Sequence, residues 1–477
     1  MQQEELISLI NQIKEHKCEM QEVEVKAAEK GCPTRLYDTL SGFSNQDNGG
    51  VIVFGLSEDK VFATVGVYDA QDLQKKVTEQ CKQMEPVIRP LFTVAPFEDK
   101  TVVSAEISGV DITQRPAFYK GVGRIKGSYV RVGESDEQMS EYEIYSYEAY
   151  RRKLSDELQT LPQSEFTDVN KDEITLFLAK LRAGKPNLAG LTDQKNLALS
   201  GIYSEDKLTL TGLLLFGLYP QSLFPQLCVT AVVVPGYQIG DIGDEDERFI
   251  DNKKIEGTIP QMIEGAISFV VRNMREKTII DQSGKRADKT EYPLKSIREI
   301  ILNAVIHRDY SIHTENSPIR IMMFKDRIEV ENPGGLYGRI TLGSLGKVGA
   351  DTRNPYIASN LEILIDTENR FSGIPTIINE MKKAGLRPPV FENSRDVFKV
   401  TLYNERSMPR DNKDGSITEE LLAFCETPRT RTELEEFTGF SRYYTMSKIV
   451  QPLVEEKQLR LTLPDKPKSA KQMYVRG

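Results

Sequence analysis

At 477 residues, with 39% hydrophobic and 28% charged side chains, the chain is too long for one ordinary core and has the composition of a soluble globular protein. No apolar run approaches the roughly eighteen residues of a membrane span. The N-terminus is polar and the five scattered cysteines form no CxxC pair, so we expect a cytoplasmic protein without a disulfide framework or a zinc site. The net charge of −9 excludes a general DNA-coating protein, and any contact with nucleic acid must therefore be local.

Residues 1–155 mix helix and strand patterns and predict one α+β domain. Ser140 and Glu143 have the spacing of a capping box and predict a helix that runs to Arg152. The other predicted elements are an amphipathic helix at the start, a strand at 22–26, a helix at 34–44, a strand at 49–56, a helix at 69–84, and strands at 101–107 and 128–133.

Three further segments follow this domain. Residues 165–290 predict a connecting α/β lobe, in which TLTGLLLFG (209–217) has the character of a strand. Residues 291–405 predict an α/β sandwich that begins with a helix from Leu294 to Arg308. A polar linker at 406–415 precedes a small domain at 416–477. The predicted fold class is therefore α+β with several domains.

The helix at 294–308 carries Glu299, Asn303 and His307 at positions i, i+4 and i+8, so all three lie on one face. The same helix carries the apolar residues Ile300, Ile301, Leu302, Ala304, Val305 and Ile306. A polar stripe on a buried helix is costly unless it lines a site, and the alternative is an amphipathic helix with an exposed polar edge.

This E-x3-N-x3-H pattern resembles the first nucleotide box of the Bergerat-fold (GHKL-like) ATPases. The resemblance implies that Glu299 polarises the attacking water, Asn303 holds Mg²⁺ and His307 lies near the phosphates of ATP. Downstream, Asn332, Gly334 and Gly335 in IEVENPGG stand where the family reads adenine, and Gly373 resembles the second glycine box. GKVGADTRNPYIA (346–358) is expected to form a lid.

The chain departs from this family at two places. Asn332 replaces the usual aspartate, and the second glycine box contains only Gly373. The first departure removes the carboxylate that accepts the adenine amino proton, and the second weakens phosphate binding by backbone N–H groups. We therefore expect nucleotide binding with at most weak hydrolysis, and the alternative is a structural domain without nucleotide.

In the N-terminal domain, Glu19, Glu24 and Lys26 form E-x4-E-x-K, followed by GFSNQDNGG, by Glu58 after a hydrophobic strand, and by YVRVG. These blocks resemble the Schlafen (AlbA-like) domain. In nucleolytic members, the resemblance implies that Glu19, Glu24 and Glu58 bind Mg²⁺ or Mn²⁺ and that Lys26 stabilises the developing charge. The alternative is that Glu24 and Lys26 pair across a strand surface.

The segment 416–477 resembles a winged helix-turn-helix domain, with three helical stretches, a glycine turn and a hairpin. From Lys457 to Gly477 there are six lysines and arginines against one acid. The residues expected to contact nucleic acid are Arg442, Tyr443, Lys448, Lys466, Lys468 and Lys471. Protein–protein docking is the alternative for such a domain.

The whole order resembles the bacterial Schlafen-type, RecG-like transcriptional regulators, although the sequence contains no GxxxxGK[ST] motif and so no P-loop motor. We expect a nucleic-acid-binding regulator, with DNA favoured over RNA, whose central domain responds to ATP and Mg²⁺. The alternatives are a metal-dependent nuclease and a non-catalytic scaffold. A homodimer is expected by analogy with winged-helix regulators.

Overall fold

The computed structural model describes residues 1–164, 168–243, 246–280, 286–349, 351–365, 373–394, 396–405, 421–438, 445–463 and 472–477. The chain divides into two units, Met1–Glu405 and Arg406–Gly477. Both units mix helices and strands, which confirms the predicted α+β class. No helix among the described residues is long and apolar enough to cross a membrane.

The N-terminal region is built on a four-stranded sheet in the order β1-β2-β7-β6. β1 and β2 run parallel, and the remaining pairs are antiparallel. Its helices are α1 Gln3–His16, α2 Tyr37–Ser44, α3 Ala70–Lys82, α4 Gly123–Gly127 and α5 Glu141–Arg152. Its strands are β1 Val23–Lys26, β2 Gly50–Phe54, β3 Leu56–Ser57, β4 Ala63–Thr64, β5 Met84–Glu85, β6 Leu91–Phe97, β7 Lys100–Ile107, β8 Phe118–Tyr119, β9 Tyr129–Val132 and β10 Ser135–Gln138.

Both faces of this sheet are buried, because β2 alternates its side chains between two hydrophobic clusters. Val53 packs with Leu6 and Ile10 of α1, whereas Ile52 and Phe54 pack on the side of α2 and α3. The capping box predicted at Ser140 and Glu143 is present at the start of α5.

The central region is built on a six-stranded sheet in the order β14-β13-β17-β18-β20-β19. Its helices are α6 Lys171–Gly184, α7 Asp193–Leu199, α8 Leu210–Phe216, α9 Ile259–Asn273, α10 Leu294–Ile306, α11 Pro355–Ile365 and α12 Gly373–Lys383. Its strands are β11 Tyr203–Ser204, β12 Lys207–Leu208, β13 Val229–Val233, β14 Asp251–Ile255, β15 Glu276–Ile280, β16 Arg286–Thr290, β17 Ile319–Met323, β18 Arg327–Pro333, β19 Val390–Ser394 and β20 Val397–Tyr403.

This sheet spans the predicted boundary at residue 290. β13, from the segment before that boundary, pairs in parallel with β17, from the segment after it. One hydrophobic cluster also runs from Leu161 to Leu402. The connecting lobe and the following segment therefore share a sheet and a core.

The stretch TLTGLLLFG is a helix, α8, and not the strand that its apolar run suggested. Every residue from Leu210 to Phe216 is buried, so the run has no polar face from which a helical period could be recognised. The Thr209 side chain accepts a hydrogen bond from the Gly212 N–H and caps the first turn.

The second unit contains α13 Arg431–Thr438, helical turns at Thr445–Val450 and α14 Gln451–Glu455. Its sheet has the order β21-β23-β22. The strands are β21 Arg429–Thr430, β22 Leu459–Leu461 and β23 Met473–Arg476. Leu421, Cys425, Leu434, Val450 and Tyr474 are among the residues of its own hydrophobic core.

Candidate functional site

Helix α10 presents its three predicted polar residues to a single cavity of about 370 Å³. Glu299 and Asn303 lie within the helix. His307 caps its C-terminal end, where its N–H bonds to the Asn303 carbonyl at 2.9 Å. The apolar residues of α10, such as Ile300, are buried in the core. The 3.6-residue period therefore separates a packing face from a cavity-lining face, as the spacing predicted.

Strand β18 forms a second wall. Val330 and Asn332 are two residues apart and both face the cavity, which Phe398 and Val400 of β20 also line. Asn332 is 5% exposed, and its Oδ1 has no hydrogen-bond partner among the described residues. A buried carbonyl without a donor is costly, so this atom is an open acceptor in an otherwise apolar part of the cavity.

The glycines after β18 allow the chain to pass close to the end of α10. Gly334 has φ +105°, and a Cβ there would lie 2.7 Å from the Asp309 Cβ. Any L-residue at this position would therefore be strained both by its backbone conformation and by contact. Gly334 and the following Gly335 both line the cavity, as the resemblance implied.

Gly373 begins α12 and lies directly against the polar face of α10. A Cβ at Gly373 would be 2.8 Å from Asn303 Nδ2 and 3.1 Å from Glu299 Oε2. Within the described part of the chain, Asn303 Nδ2 has no acceptor. All seven residues predicted for the nucleotide site thus line one cavity: Glu299, Asn303, His307, Asn332, Gly334, Gly335 and Gly373.

Burial changes the titration of the two ionisable groups on α10. It raises the pKa of Glu299 above its ordinary value, although the nearby Arg298 opposes this. Burial, together with the positive charge of Arg353, lowers the pKa of His307 to about 4. His307 is therefore neutral near pH 7, and Glu299 is a stronger base than an exposed glutamate.

Sequence reasoning did not single out Arg353, which lies inside the predicted lid. Its side chain is 6% exposed, lines the cavity and forms a close ion pair with Asp309. Arg353 also donates to the Tyr142 hydroxyl at 3.1 Å and to the Gly335 carbonyl at 3.1 Å. An arginine in the predicted lid was a signal for a phosphate ligand, but the contact with Tyr142 depends on tertiary structure.

In the N-terminal region, the predicted acids surround an arginine. Arg131, whose side chain is 1% exposed, lies 2.8 Å from Glu24, 3.4 Å from Glu19 and 3.3 Å from Asp136. Lys26 forms a close ion pair with Glu24, the pairing weighed as the alternative to a catalytic role. Arg131 neutralises these carboxylates and lies where a metal ion shared by them would have to bind.

Burial, together with the charge of Glu24, raises the pKa of Glu19 to about 7. Glu58 lies on an exposed turn after β3. Among the described residues, no group of three or more His, Cys, Asp or Glu side chains is arranged to hold a metal ion. The acids as placed therefore do not fit a metal site.

Most of the residues predicted to contact nucleic acid lie outside the described residues. These are Arg442, Tyr443, Lys466, Lys468 and Lys471. Lys448 lies in the helical turns at Thr445–Val450, and its side chain is also outside the description. The winged-helix assignment and the basic hairpin remain predictions.

Comparison with known proteins agrees with two of the predicted resemblances. Residues 19–140 match the family described as "Schlafen, AlbA_2", and residues 316–402 match "Putative ATP-dependent DNA helicase recG C-terminal". The second match includes Asn332, Gly334, Gly335 and Gly373, and begins after α10. The chain thus carries a Schlafen-type domain and an ATPase-like domain. Among curated proteins, no significant match is found.

The solved structures that are similar to the chain include the following two. The first is the DIP2311 protein from Corynebacterium diphtheriae, at 16% identity and a TM-score of 0.41, covering 99% of this chain and 97% of that one. The second is the N-terminal domain of a protein described as putative ATP-dependent DNA helicase RecG-related, from Nitrosomonas europaea. It has 25% identity and a TM-score of 0.23, and covers 28% of this chain and 92% of that one.

Proposed function

We propose that this protein is a nucleic-acid-binding regulator of transcription whose central cavity binds ATP. The observation that carries the proposal is the convergence of seven predicted residues on one cavity, in which three buried polar atoms have no hydrogen-bond partner among the described residues: Asn303 Nδ2, Asn332 Oδ1 and Arg353 Nε. A volume of about 370 Å³ lies within the range of small-molecule sites. A cytoplasmic location fits this function.

The adenine ring of ATP would bind against the cavity wall that β18 forms. Asn332 Oδ1 would accept a hydrogen bond from the adenine amino group, while the amide NH₂ would donate to a ring nitrogen. Val330, Phe398 and Val400 supply the apolar surroundings of a purine ring. An asparagine can therefore replace the usual aspartate without burying a charge.

The phosphates would lie toward α10 and the start of α12. Asn303 would hold Mg²⁺ together with phosphate oxygens, and Mg²⁺ supplies charge neutralisation when bound. Neutral His307 would hydrogen-bond a phosphate, and Glu299 would polarise water. Because the second glycine box contains only Gly373 in the sequence, we propose binding with at most weak hydrolysis.

The nucleic-acid part of the proposal rests on the two family descriptions and on local positive charge. Besides the terminal hairpin, residues 119–127 contain Lys120, Arg124 and Lys126 and no acid. Burial lowers the pKa of Arg124, and the charges of Arg151 and Arg152 at the end of α5 lower it further. Arg124 also forms a close ion pair with Glu148. We call these five basic residues the α4–α5 basic surface. Such a surface can bind phosphates on a chain whose net charge is −9.

Isothermal titration of ATP into the full-length protein, with and without Mg²⁺, tests the nucleotide site. Asn303→Ala is expected to weaken ATP binding about tenfold or more, because it removes the Mg²⁺ ligand and a hydrogen-bonding group. Asn48→Ala is the matched control, since Asn48 is exposed and bonds only to Glu22 in the described structure. Absence of ATP binding by wild type would refute the nucleotide proposal.

Fluorescence anisotropy with duplex DNA and with RNA, across a salt series, tests the nucleic-acid part. Lys126→Glu with Arg152→Glu should weaken binding and reduce its salt dependence, by about 0.9 in the log–log slope per lost phosphate contact on duplex DNA. Lys60→Glu, distant in sequence and paired with Glu29, is the control. Equal binding by both variants would remove this surface from the proposal, and no binding at low salt would remove the function.

The nuclease alternative is not favoured, because Arg131 lies among the acids that a metal would need. A nuclease assay with Mn²⁺, comparing wild type with Glu19→Ala and Glu24→Ala, should show no difference attributable to these residues. Light scattering with and without nucleic acid measures the oligomeric state of the protein, and so tests both the scaffold alternative and the expected dimer.

A further inference from the structure

Arg353 lies in the wall of the cavity, close enough to His307 for its charge to act on that ring. Its guanidinium carbon is 4.8 Å from the centre of the Tyr337 ring. Its Nε has no acceptor within the part of the chain that the structure describes. A buried guanidinium with unused hydrogen-bonding capacity thus lies near His307, the residue that the proposal places beside the phosphates.

The partner of this guanidinium is shared with the N-terminal region. Tyr142 of α5 donates from its hydroxyl to Asp309 Oδ2 at 2.9 Å and accepts from Arg353 Nη1 at 3.1 Å. Tyr142 lies two residues beyond the Schlafen-type match, which ends at residue 140. The three side chains therefore form one buried cluster that joins the cavity wall to the Schlafen-type domain.

A second contact lies farther along α5. The Tyr150 hydroxyl donates to Asp351 Oδ2 at 3.2 Å, and the Tyr150 ring meets the Tyr337 ring edge-on at 5.4 Å. Tyr142 and Tyr150 are eight residues apart and so share one face of the helix. Helix α5 therefore contacts the cavity-lining segment through both tyrosines, one of them bonded directly to Arg353.

Resting on the proposed function, we propose that Arg353 is a phosphate-binding residue of the nucleotide site. In binding the phosphate it gives up its contacts with Asp309 and Tyr142, so that α5 changes its contacts when nucleotide is present. A terminal phosphate carries more charge than one carboxylate and can accept two parallel bonds from a guanidinium. Occupancy of the cavity is thereby transmitted to the Schlafen-type domain, because the two states differ in the contacts of Tyr142.

Comparing ATP with adenosine tests the phosphate contact, because adenosine lacks the group that Arg353 binds. Arg353→Gln is expected to weaken ATP binding about tenfold or more and to leave adenosine binding unchanged, the loss expected for a charge-assisted hydrogen bond. Arg339→Gln, an exposed arginine of the same segment, is the matched control. The double variant Arg353→Gln/Asp309→Asn leaves no unpaired buried carboxylate, and serves if the single variant does not fold.

These outcomes separate the inference from the function on which it rests. If wild type binds neither ATP nor adenosine, the proposed function fails. If wild type binds ATP and the variants keep the same ratio of ATP to adenosine affinity, the function stands and the role of Arg353 is refuted.

Hydrogen exchange of residues 141–152 tests the transmission. Saturating ATP is expected to change exchange in this segment of wild type, and Tyr142→Phe should reduce that change to less than about half. Tyr145→Phe is the control, because Tyr145 lies on the same helix and its hydroxyl bonds to Asp156. An equal ATP response in wild type and Tyr142→Phe, or none in wild type that binds ATP, would overturn the transmission.

Discussion

At the scale of single residues, Asn332 is expected to contribute to ligand binding and not to the stability of the fold. Its buried Oδ1 is unpaired in the described structure, so the folded protein gains nothing from that atom without a ligand. Asn332→Leu is expected to leave the melting temperature unchanged or higher and to weaken ATP binding about tenfold or more. Thermal unfolding measures the melting temperature of the variant, and calorimetry measures its affinity for ATP. A lower melting temperature with unchanged ATP affinity would assign Asn332 to the core.

Arg131, in contrast, contributes to the stability of the fold, because its charge stabilises three carboxylates. Arg131→Met leaves Glu19, Glu24 and Asp136 without their shared cation. The free energy of unfolding should fall by about 3–5 kcal/mol near pH 8. The loss should be smaller near pH 5, because protonation then removes part of the repulsion. Denaturant unfolding at the two pH values measures this, and a loss that does not depend on pH would contradict it.

These residue-scale roles were only partly visible in the sequence. The spacing of Glu299, Asn303 and His307 indicated a shared face, because a helix repeats every 3.6 residues. Arg131 belongs to the motif YVRVG, but its position among the acids arises where β1 and β9 meet the segment around Glu19. Contacts between residues far apart in sequence, here 112 positions for Arg131 and Glu19, follow no local period.

At the scale of elements, a buried carboxylate holds the start of α11 in place. Glu157 is fully buried and accepts the Tyr356 N–H at 2.9 Å and the Ile357 N–H at 2.8 Å. Negative charge suits the N-terminal end of a helix, although burial raises the pKa of Glu157 to about 7 from an ordinary value of 4.5. The carboxylate thus joins the chain after α5 to the helix that follows Arg353.

The raised pKa gives this contact a pH dependence with a definite sign. A carboxyl with a folded pKa above its unfolded pKa binds more protons when folded, so its contribution to stability falls as pH rises from about 4.5 to about 7. Glu157→Gln should therefore show a smaller fall in melting temperature over this range than wild type. The free energy of unfolding of Glu157→Gln should also be lower by about 1–3 kcal/mol, because the NH₂ group of glutamine cannot accept the second backbone N–H. Parallel melting curves from pH 5 to pH 8 would contradict the assignment.

Element prediction succeeded where hydrophobic periods were clear and failed where burial removed them. Strand β18 alternates buried and partly exposed residues, so its sequence has a period of two. Helix α8 is buried on all sides, so its seven residues carry no period that distinguishes helix from strand.

At the scale of the whole molecule, the predicted division at residue 290 does not separate two cores. Strand β13, which precedes residue 290, pairs in parallel with β17, which follows it. Helices α9 and α10 therefore pack in the same core. A sequence shows the strands but not their order in a sheet, which explains why segment boundaries and structural units differ here. The change at residue 406 does coincide with a boundary between the two units.

The central claim is that ATP binds in the cavity between α10, β18 and the start of α12. A crystal structure of the full-length protein with Mg²⁺ and a non-hydrolysable ATP analogue tests it most directly. The account predicts the adenine against Asn332 and the phosphates beside Asn303 and Gly373. An empty cavity at saturating analogue, or an analogue bound elsewhere, would contradict the account.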